Sequence, residues 1–293
     1  MSVKTKICKA CDALSNFPVI GGVLKPKSRV SVLRLSGVIA DSGNRRGSIS
    51  HHRYEKMIEQ AFDEFDVKAV LLVINSPGGS PAQSALIGDH IRRLSVEKDV
   101  PVYAFVEDVA ASGGYWLACA ADEIYANETS IIGSIGVISA SFGFKDLIDR
   151  YGVERRVHTS GKNKSFMDPF VDEKPADVKR LKSLQKELHE SFIDWVQERR
   201  RDKIKGGDTA LYEGDFWTAK TALGLGLIDG FGEAKSFAKE LFGDDIKFSE
   251  FGPEKKLMAS LLGADMRAYT KVSIAEDAIE TLETKAIWGR YGL

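Results

Sequence analysis

Two apolar runs that each stop at paired glycines constrain this chain more than any other feature. The first, KAVLLVINSPGGS at residues 68–80, ends at Gly78 and Gly79; the second, PVYAFVEDVAASGGYW at 101–116, ends at Ser112, Gly113 and Gly114. Short apolar runs rich in β-branched and aromatic residues and bounded by glycine read as buried strands. In the second run Val102, Ala104 and Val106 fall on one face and Tyr103 and Phe105 on the other. The glycines let the backbone turn tightly and approach a bound group, which a Cβ would obstruct. Tyr115 to Ala121 then read as a short apolar helix, so Ser112 sits at a strand-to-helix turn. There its hydroxyl is exposed near a helix N-terminus, where a developing oxyanion is favoured. On the local pattern alone the position favours a serine that only caps the helix.

The rest of the chain repeats the strand and helix alternation. Residues 28–39, SRVSVLRLSGVI, read as a first strand, and 40–50 as a polar loop. Tyr54, Met57, Ile58, Ala61, Phe62 and Phe65 recur at helical spacing, as do Leu86, Ile87, His90, Ile91 and Leu94 after the first glycine turn. Strand, helix, strand, helix, strand in this order predicts parallel pairing with right-handed crossovers, an α/β fold. Further strands are expected at 123–126, 136–140 and 153–158. A long helix follows from about 175 to 201, striped by Leu181, Leu184, Leu188, Phe192, Trp195 and Val196. Residues 217–232 read as a short helix, a glycine stop and a buried strand. The expected organisation is one domain over 28–251, preceded by an extension at 1–27 and followed by a helical extension at 252–293.

Charge and cysteine usage exclude several classes of function. The 41 basic and 42 acidic residues nearly cancel, so no global field draws nucleic acid or an anionic surface. Cys8 and Cys11 form a lone CxxC, with Cys119 the third cysteine; four zinc ligands are not at hand, and an odd count argues against a disulfide framework. Neither GxxxxGK[ST] nor HExxH occurs, so neither a nucleotide nor a metal cofactor is implied. No run near the start approaches the roughly 20 apolar residues that cross a bilayer. Lys4, Lys9 and Asp12 interrupt what would be the apolar core of a signal peptide. The expectation is cytoplasmic residence in a bacterium, with peripheral contact between residues 2–24 and the inner membrane left open.

Four ordered stretches carry a family resemblance: NSPGGS at 75–80, ASGGY at 111–115, TSIIGSIGV at 129–137 and SGKNK at 160–164. Together they resemble the peptidase family S49, the signal peptide peptidases and their SohB-like relatives, over about residues 28–235. The resemblance implies a fold of the Clp-protease and crotonase type, with parallel strands and crossover helices. It also implies a serine endopeptidase with Ser112 as nucleophile and Lys164 as general base, 52 residues on. Ser134 would support the lysine, as against a plain turn serine. Gly113 and Gly79 would lend backbone N–H groups as an oxyanion hole, with Gly78 and Gly114 shaping the turns. Substrates would be extended, fairly apolar peptides with small residues at the cleaved bond, such as signal-peptide remnants or membrane-protein fragments. Half-length members assemble so that neighbouring subunits complete each site, which implies a homo-oligomer.

Elementary chemistry is compatible with that assignment. A serine hydroxyl needs a base within hydrogen-bond reach, and lysine serves if burial strips its proton. Lys162 is the runner-up. None of the histidines, His51, His52, His90, His158 and His189, stands in a glycine-rich setting; His158 beside the lysine loop is expected to be buried structurally. Two rival readings remain: a crotonase-like acyl-CoA enzyme, which shares the two-donor oxyanion hole but relies on a positioned carboxylate, and a non-catalytic scaffold of a membrane quality-control complex.

Overall fold

A computed structural model describes residues 28–41, 48–205, 209–253, 282 and 284–293. The expected strand at 28–39 is β1 (Arg29–Ser36), followed by α1 (His51–Asp63), β2 (Val67–Ser76), α2 (Pro81–Lys98) and β3 (Val102–Ala111). Burial explains the helix α1: Tyr54, Ile58, Ala61 and Phe62 share its buried stripe, while Phe65 falls beyond the helix end and is exposed. Helix α2 begins at Pro81, whose fixed φ suits a first turn, and Ser80 caps it by accepting from the Gln83 N–H. Its core face holds Ile87, His90, Ile91 and Leu94; Leu86 is exposed.

Strands β1, β2 and β3 pair in parallel and in that spatial order. Beyond β3 come the short helix α3 (Gly113–Ala118), β4 (Glu123–Ala126), β5 (Ile131–Gly133), α4 (Lys145–Arg150) and the long helix α5 (Pro175–Arg200). They are followed by β6 (Phe216–Thr218), α6 (Ala219–Leu225), β7 (Gly230–Phe231), α7 (Ala234–Phe242) and β8 (Lys247–Phe251). The sheet has eight strands in the order β6-β5-β3-β2-β1-β8, with β4 leaving β3 towards β7; β5 and β6 alone pair antiparallel. This is the expected α/β arrangement of parallel strands joined by helices.

Alternation along the central strands divides the core in two. Val70, Leu72, Ile74, Val102, Ala104 and Val106 face the larger core beneath α1, α2 and α3. Ala69, Leu71, Val73 and Phe105 face the opposite side, where α7 covers them with Ala234 and Ala238. Helix α5 joins the larger core by its last turns alone. Phe192 and Val196 are buried, whereas Leu184 and Leu188, expected on the same stripe, are exposed.

That end of α5 clamps α3. Trp116 stacks between Phe192 and Trp195, the Trp195 Nε1–H donates to the Trp116 carbonyl (3.0 Å), and Arg199 donates to the carbonyls of Cys119 and Ala121. Arg200, 2% exposed, donates to the Gly226 carbonyl (2.7 Å) and to Asp229 Oδ2 (2.6 Å). Asp229 also accepts from the Ile124 N–H and pairs with Lys203. Burial on its own would raise the Asp229 carboxyl, but the bonds from Arg200 and Lys203 outweigh it and hold the group below the ordinary carboxylate range.

The expected strands at 136–140 and 153–158 do not form. Ile138, Val153 and Val157 are exposed, and no described strand pairs with either stretch. Apolar alternation without a neighbouring strand leaves the backbone groups to water, so the pattern alone does not make a strand.

Replacing Arg200 by Met leaves a buried carboxylate without its main partner and costs about 3–5 kcal/mol. Because the Asp229 carboxyl is depressed, its stabilisation is present above the unfolded-chain value of about 3.9 and fades as pH falls through the lower folded value. Denaturation of the two proteins between pH 7 and pH 3 is therefore expected to show the stability gap narrowing as pH falls.

Candidate active site

Ser112 occupies the sharp turn between β3 and α3 with φ 51° and ψ −123°, a region that a residue with a side chain rarely adopts. Such strain costs roughly 1–3 kcal/mol and needs surroundings that enforce it. Here the Ser112 N–H donates to the Gly133 carbonyl (2.8 Å) and its carbonyl accepts from the N–H groups of Tyr115 and Trp116. The hydroxyl makes no capping bond to the helix. Capping, the alternative role that position allows, is thus not what this serine does. A serine on a strained strand-to-helix turn has its Oγ held clear of the backbone, as a nucleophile requires.

The other glycine turn is pressed against it. A Cβ on Gly78 (φ 97°) would lie 2.8 Å from the Ala111 carbonyl, the Gly113 nitrogen and the Ser112 Cβ. Gly79 (φ 144°) bridges Ile39: the Ile39 N–H donates to the Gly78 carbonyl and the Ser80 N–H to the Ile39 carbonyl. The Gly79 N–H takes no part in that bridge. Its nitrogen lies 3.4 Å from where a Cβ on Gly113 would stand, so the two glycines are close neighbours beside the Ser112 turn. Gly113 opens α3, where the first N–H groups have no intrahelical acceptor. A Cβ on Gly114 would overlap the Ser76 carbonyl, and this glycine's role is the close seating of α3 on β2. Ser76 shapes the loop, donating to the Gly37 carbonyl and accepting from the Gly78 N–H.

Ser134 is brought to the same place by sheet register. β3 pairs with β5 up to Ala111 opposite Gly133, so Ser112 and Ser134 follow at matched positions. Ser134 is itself in the left-handed region (φ 55°), and its N–H donates to the Asp215 carbonyl (2.7 Å). The structure therefore gathers Ser112, Gly78, Gly79, Gly113, Gly114 and Ser134.

Lys164 is not gathered with them. It lies in an exposed turn with its N–H bonded to the Gly161 carbonyl, and no hydrogen bond or ion pair joins it to Ser112 or Ser134. Lys162 is likewise exposed. His158, expected to be buried, is exposed, because the strand that would have carried it inward does not form. His51 and His90 bond one another (3.2 Å), and a ring nitrogen of His189 meets the Ile135 carbonyl (3.2 Å), one residue past Ser134. Cys119 is buried, and desolvation pushes its thiol up to about 12, so it offers no thiolate. Glu107 pairs with Arg34 and Asp108 accepts from Asn75, so both acids before the serine have partners of their own. Cys8 and Cys11, and the segment considered for membrane contact, lie outside the described residues. Among the described residues no cluster of three or more metal-ligating side chains forms, and no helix is long and apolar enough to cross a membrane.

Residues beyond the motifs also build the site. Ile39 holds the Gly79 loop, Ser84 Oγ fills the space beside the Gly113 Cα, and Asp215 anchors Ser134. Ile39 ends an apolar run that the sequence shows; for Ser84 and Asp215 no local pattern signals the role.

The strained Ser112 turn thus stands at the carboxyl end of a parallel strand, pressed against a second glycine turn. In comparison with known proteins, residues 95–243, about half of the chain, match the model of peptidase family S49. The chain belongs to that family. It is 47% identical over 275 residues to a Brucella abortus protein named Na(+)/H(+) antiporter NhaA, a match covering 91% of this chain and 37% of that protein. It is 32% identical to the chloroplastic serine protease SPPA of Arabidopsis thaliana over 69% of this chain and 29% of that one. With Protease 4 of Haemophilus influenzae it shares 28% identity over 81% of this chain and 39% of the other. The chain thus spans well under half the length of these curated relatives. Among solved structures, the 1510-N membrane-bound stomatin-specific protease overlaps 78% of this chain and 100% of its own at 15% identity, with a TM-score of 0.47; the strand order described above, not this overlap, defines the fold here.

Alanine at Gly79 and at Gly113 separates the two glycine roles. The first meets the main-chain carbonyl of Ile39 in a conformation alanine resists, and is expected to destabilise by at least about 3 kcal/mol. The second meets a serine hydroxyl that can rotate aside and is expected to cost about 1–2 kcal/mol. Urea denaturation of both variants checks the order.

Proposed function

We propose that the protein is a serine endopeptidase in which Ser112 is the nucleophile and Lys164 the general base. The observation that carries the reading is the strained Ser112 turn packed directly against Gly78, Gly79 and Gly113. Ser112 Oγ attacks the carbonyl carbon of the scissile peptide and its proton passes to Lys164 Nζ. The two N–H groups hold the oxyanion, and losing one such donor typically costs about 10²–10³-fold in rate. Collapse breaks the C–N bond, the departing amine takes the proton back, and an acyl-enzyme is left. Water then attacks the ester with Lys164 again accepting the proton, releasing the acid and restoring Ser112. Ser134, adjacent to Ser112 by register, orients the lysine amine. Substrates are extended peptides with small apolar residues at the cleaved bond, in keeping with family S49, including remnants of signal peptides or membrane proteins.

Lysine acts as a base only once burial has removed its proton, and Lys164 is exposed in the single chain. The segment carrying it also exposes Ile138, Phe142, Leu147, Tyr151 and Val157, apolar side chains that a neighbouring copy could cover. A homo-oligomer in which a neighbouring copy covers this segment brings the lysine to a serine and buries it. Carboxylates that already have partners, Glu107 with Arg34 and Asp108 with Asn75, disfavour the crotonase-like reading, which needs a free positioned acid.

Hydrolysis of a fluorogenic peptide with small apolar residues tests this. Ser112→Ala and Lys164→Ala are each expected to lose at least about 10³-fold in kcat, the scale of removing a nucleophile or its base. Mixing the two inactive variants is expected to restore activity if the serine and lysine come from different copies. Activity that survives Lys164→Ala and disappears in His189→Ala would move the base to the histidine beside Ile135.

A further inference from the structure

The last residues of the chain return to the Ser134 side of the site. Residues 284–289 are helical and end in a turn, with the Tyr291 N–H donating to the Trp288 carbonyl (3.0 Å) and the Leu293 N–H to the same oxygen (3.4 Å). The turn presents Tyr291, whose hydroxyl donates to Ser134 Oγ at 3.3 Å. The tyrosine ring stands edge-on to Phe216, with centroids 5.1 Å apart and planes at 73°, a favoured aromatic geometry. Phe216 is on the edge strand β6, opposite Gly133, so the ring rests against the partner of the strand that leads into Ser134.

We infer that residues 284–293 are a built-in inhibitory segment: Tyr291 occupies the Ser134 hydroxyl that Lys164 needs. This rests on the peptidase reading above. Two independent observations point the same way. Ser134, the group proposed to orient the base, already accepts a hydrogen bond from the tyrosine, and the proposed base lies exposed with no bond to either serine. Among the described residues a hydrogen bond of 3.3 Å and one ring contact hold the tyrosine, so a competing peptide or the arrival of Lys164 displaces it and the inhibition is partial and reversible.

The test compares kcat/KM for a small apolar peptide in wild type, in Tyr291→Phe and in a chain ending at Glu283. Tyr291→Phe keeps the ring and removes only the hydroxyl, so its expected gain is about two- to tenfold, the range of one neutral hydrogen bond. The shortened chain is expected to gain at least as much, and a synthetic TKAIWGRYGL peptide, residues 284–293, is expected to reverse that gain. Hydrolysis by wild type that neither variant accelerates, or that both reduce, overturns the inhibitory segment and leaves the peptidase reading standing. No hydrolysis by any form overturns both.

Discussion

Everything at this site depends on two stretches of backbone lying closer together than side chains permit. The Gly78–Gly79 turn is wedged between the Ile39 carbonyl and the Ala111–Gly113 backbone, and Gly114 is seated on the Ser76 carbonyl. These contacts are main chain against main chain, so they fix the loop more firmly than flexible side chains would. They also leave the N–H groups of Gly79 and Gly113 free of the bridges and helix bonds around them. The strain of Ser112 is held by the same contacts. A parallel sheet braced on one face by α1, α2 and the end of α5, and on the other by α7, is the frame that pins both turns.

Much of this was legible in the sequence, and the reason is physical. Buried parallel strands read as apolar runs, and the alternation of Val102, Ala104 and Val106 against Tyr103 and Phe105 is the alternation the two cores use. Paired glycines after a strand announce a turn that a Cβ would block, which is why Gly78, Gly79, Gly113 and Gly114 could be named before any coordinate. Stretches 136–140 and 153–158 misled because alternation reports a face, not a partner, and no strand in the described structure pairs with them. Leu184 and Leu188 misled for a related reason: a helical stripe on α5 extends past the part of the core available to it, and these leucines remain exposed. The docking of Tyr291 on Ser134 has no local signature, since residues 157 apart in the chain meet only through the tertiary fold.

In the proposed mechanism one chain presents half of the catalytic apparatus. The proposed nucleophile, oxyanion donors and supporting serine sit on rigid strand ends, where electrostatic stabilisation costs no rearrangement during reaction. The proposed base is carried by an exposed segment rich in apolar side chains, and Tyr291 holds the hydroxyl that would receive it. Such a division separates the rigid acyl-transfer centre from the element that activates it. On this proposal activity depends on assembly and on displacement of residues 284–293, both of which act on the base rather than on the serine.

The central claim is that Ser112, held in its strained turn opposite two backbone donors, is a nucleophile that acylates. Its most direct test is intact-mass and peptide-map analysis of the protein after exposure to a peptidyl phosphonate diphenyl ester with small apolar side chains. The account predicts one phosphonyl adduct per chain, located on Ser112, and none on Ser112→Ala. A protein that remains unmodified under conditions supporting peptide hydrolysis, or an adduct mapped to another residue, would contradict it.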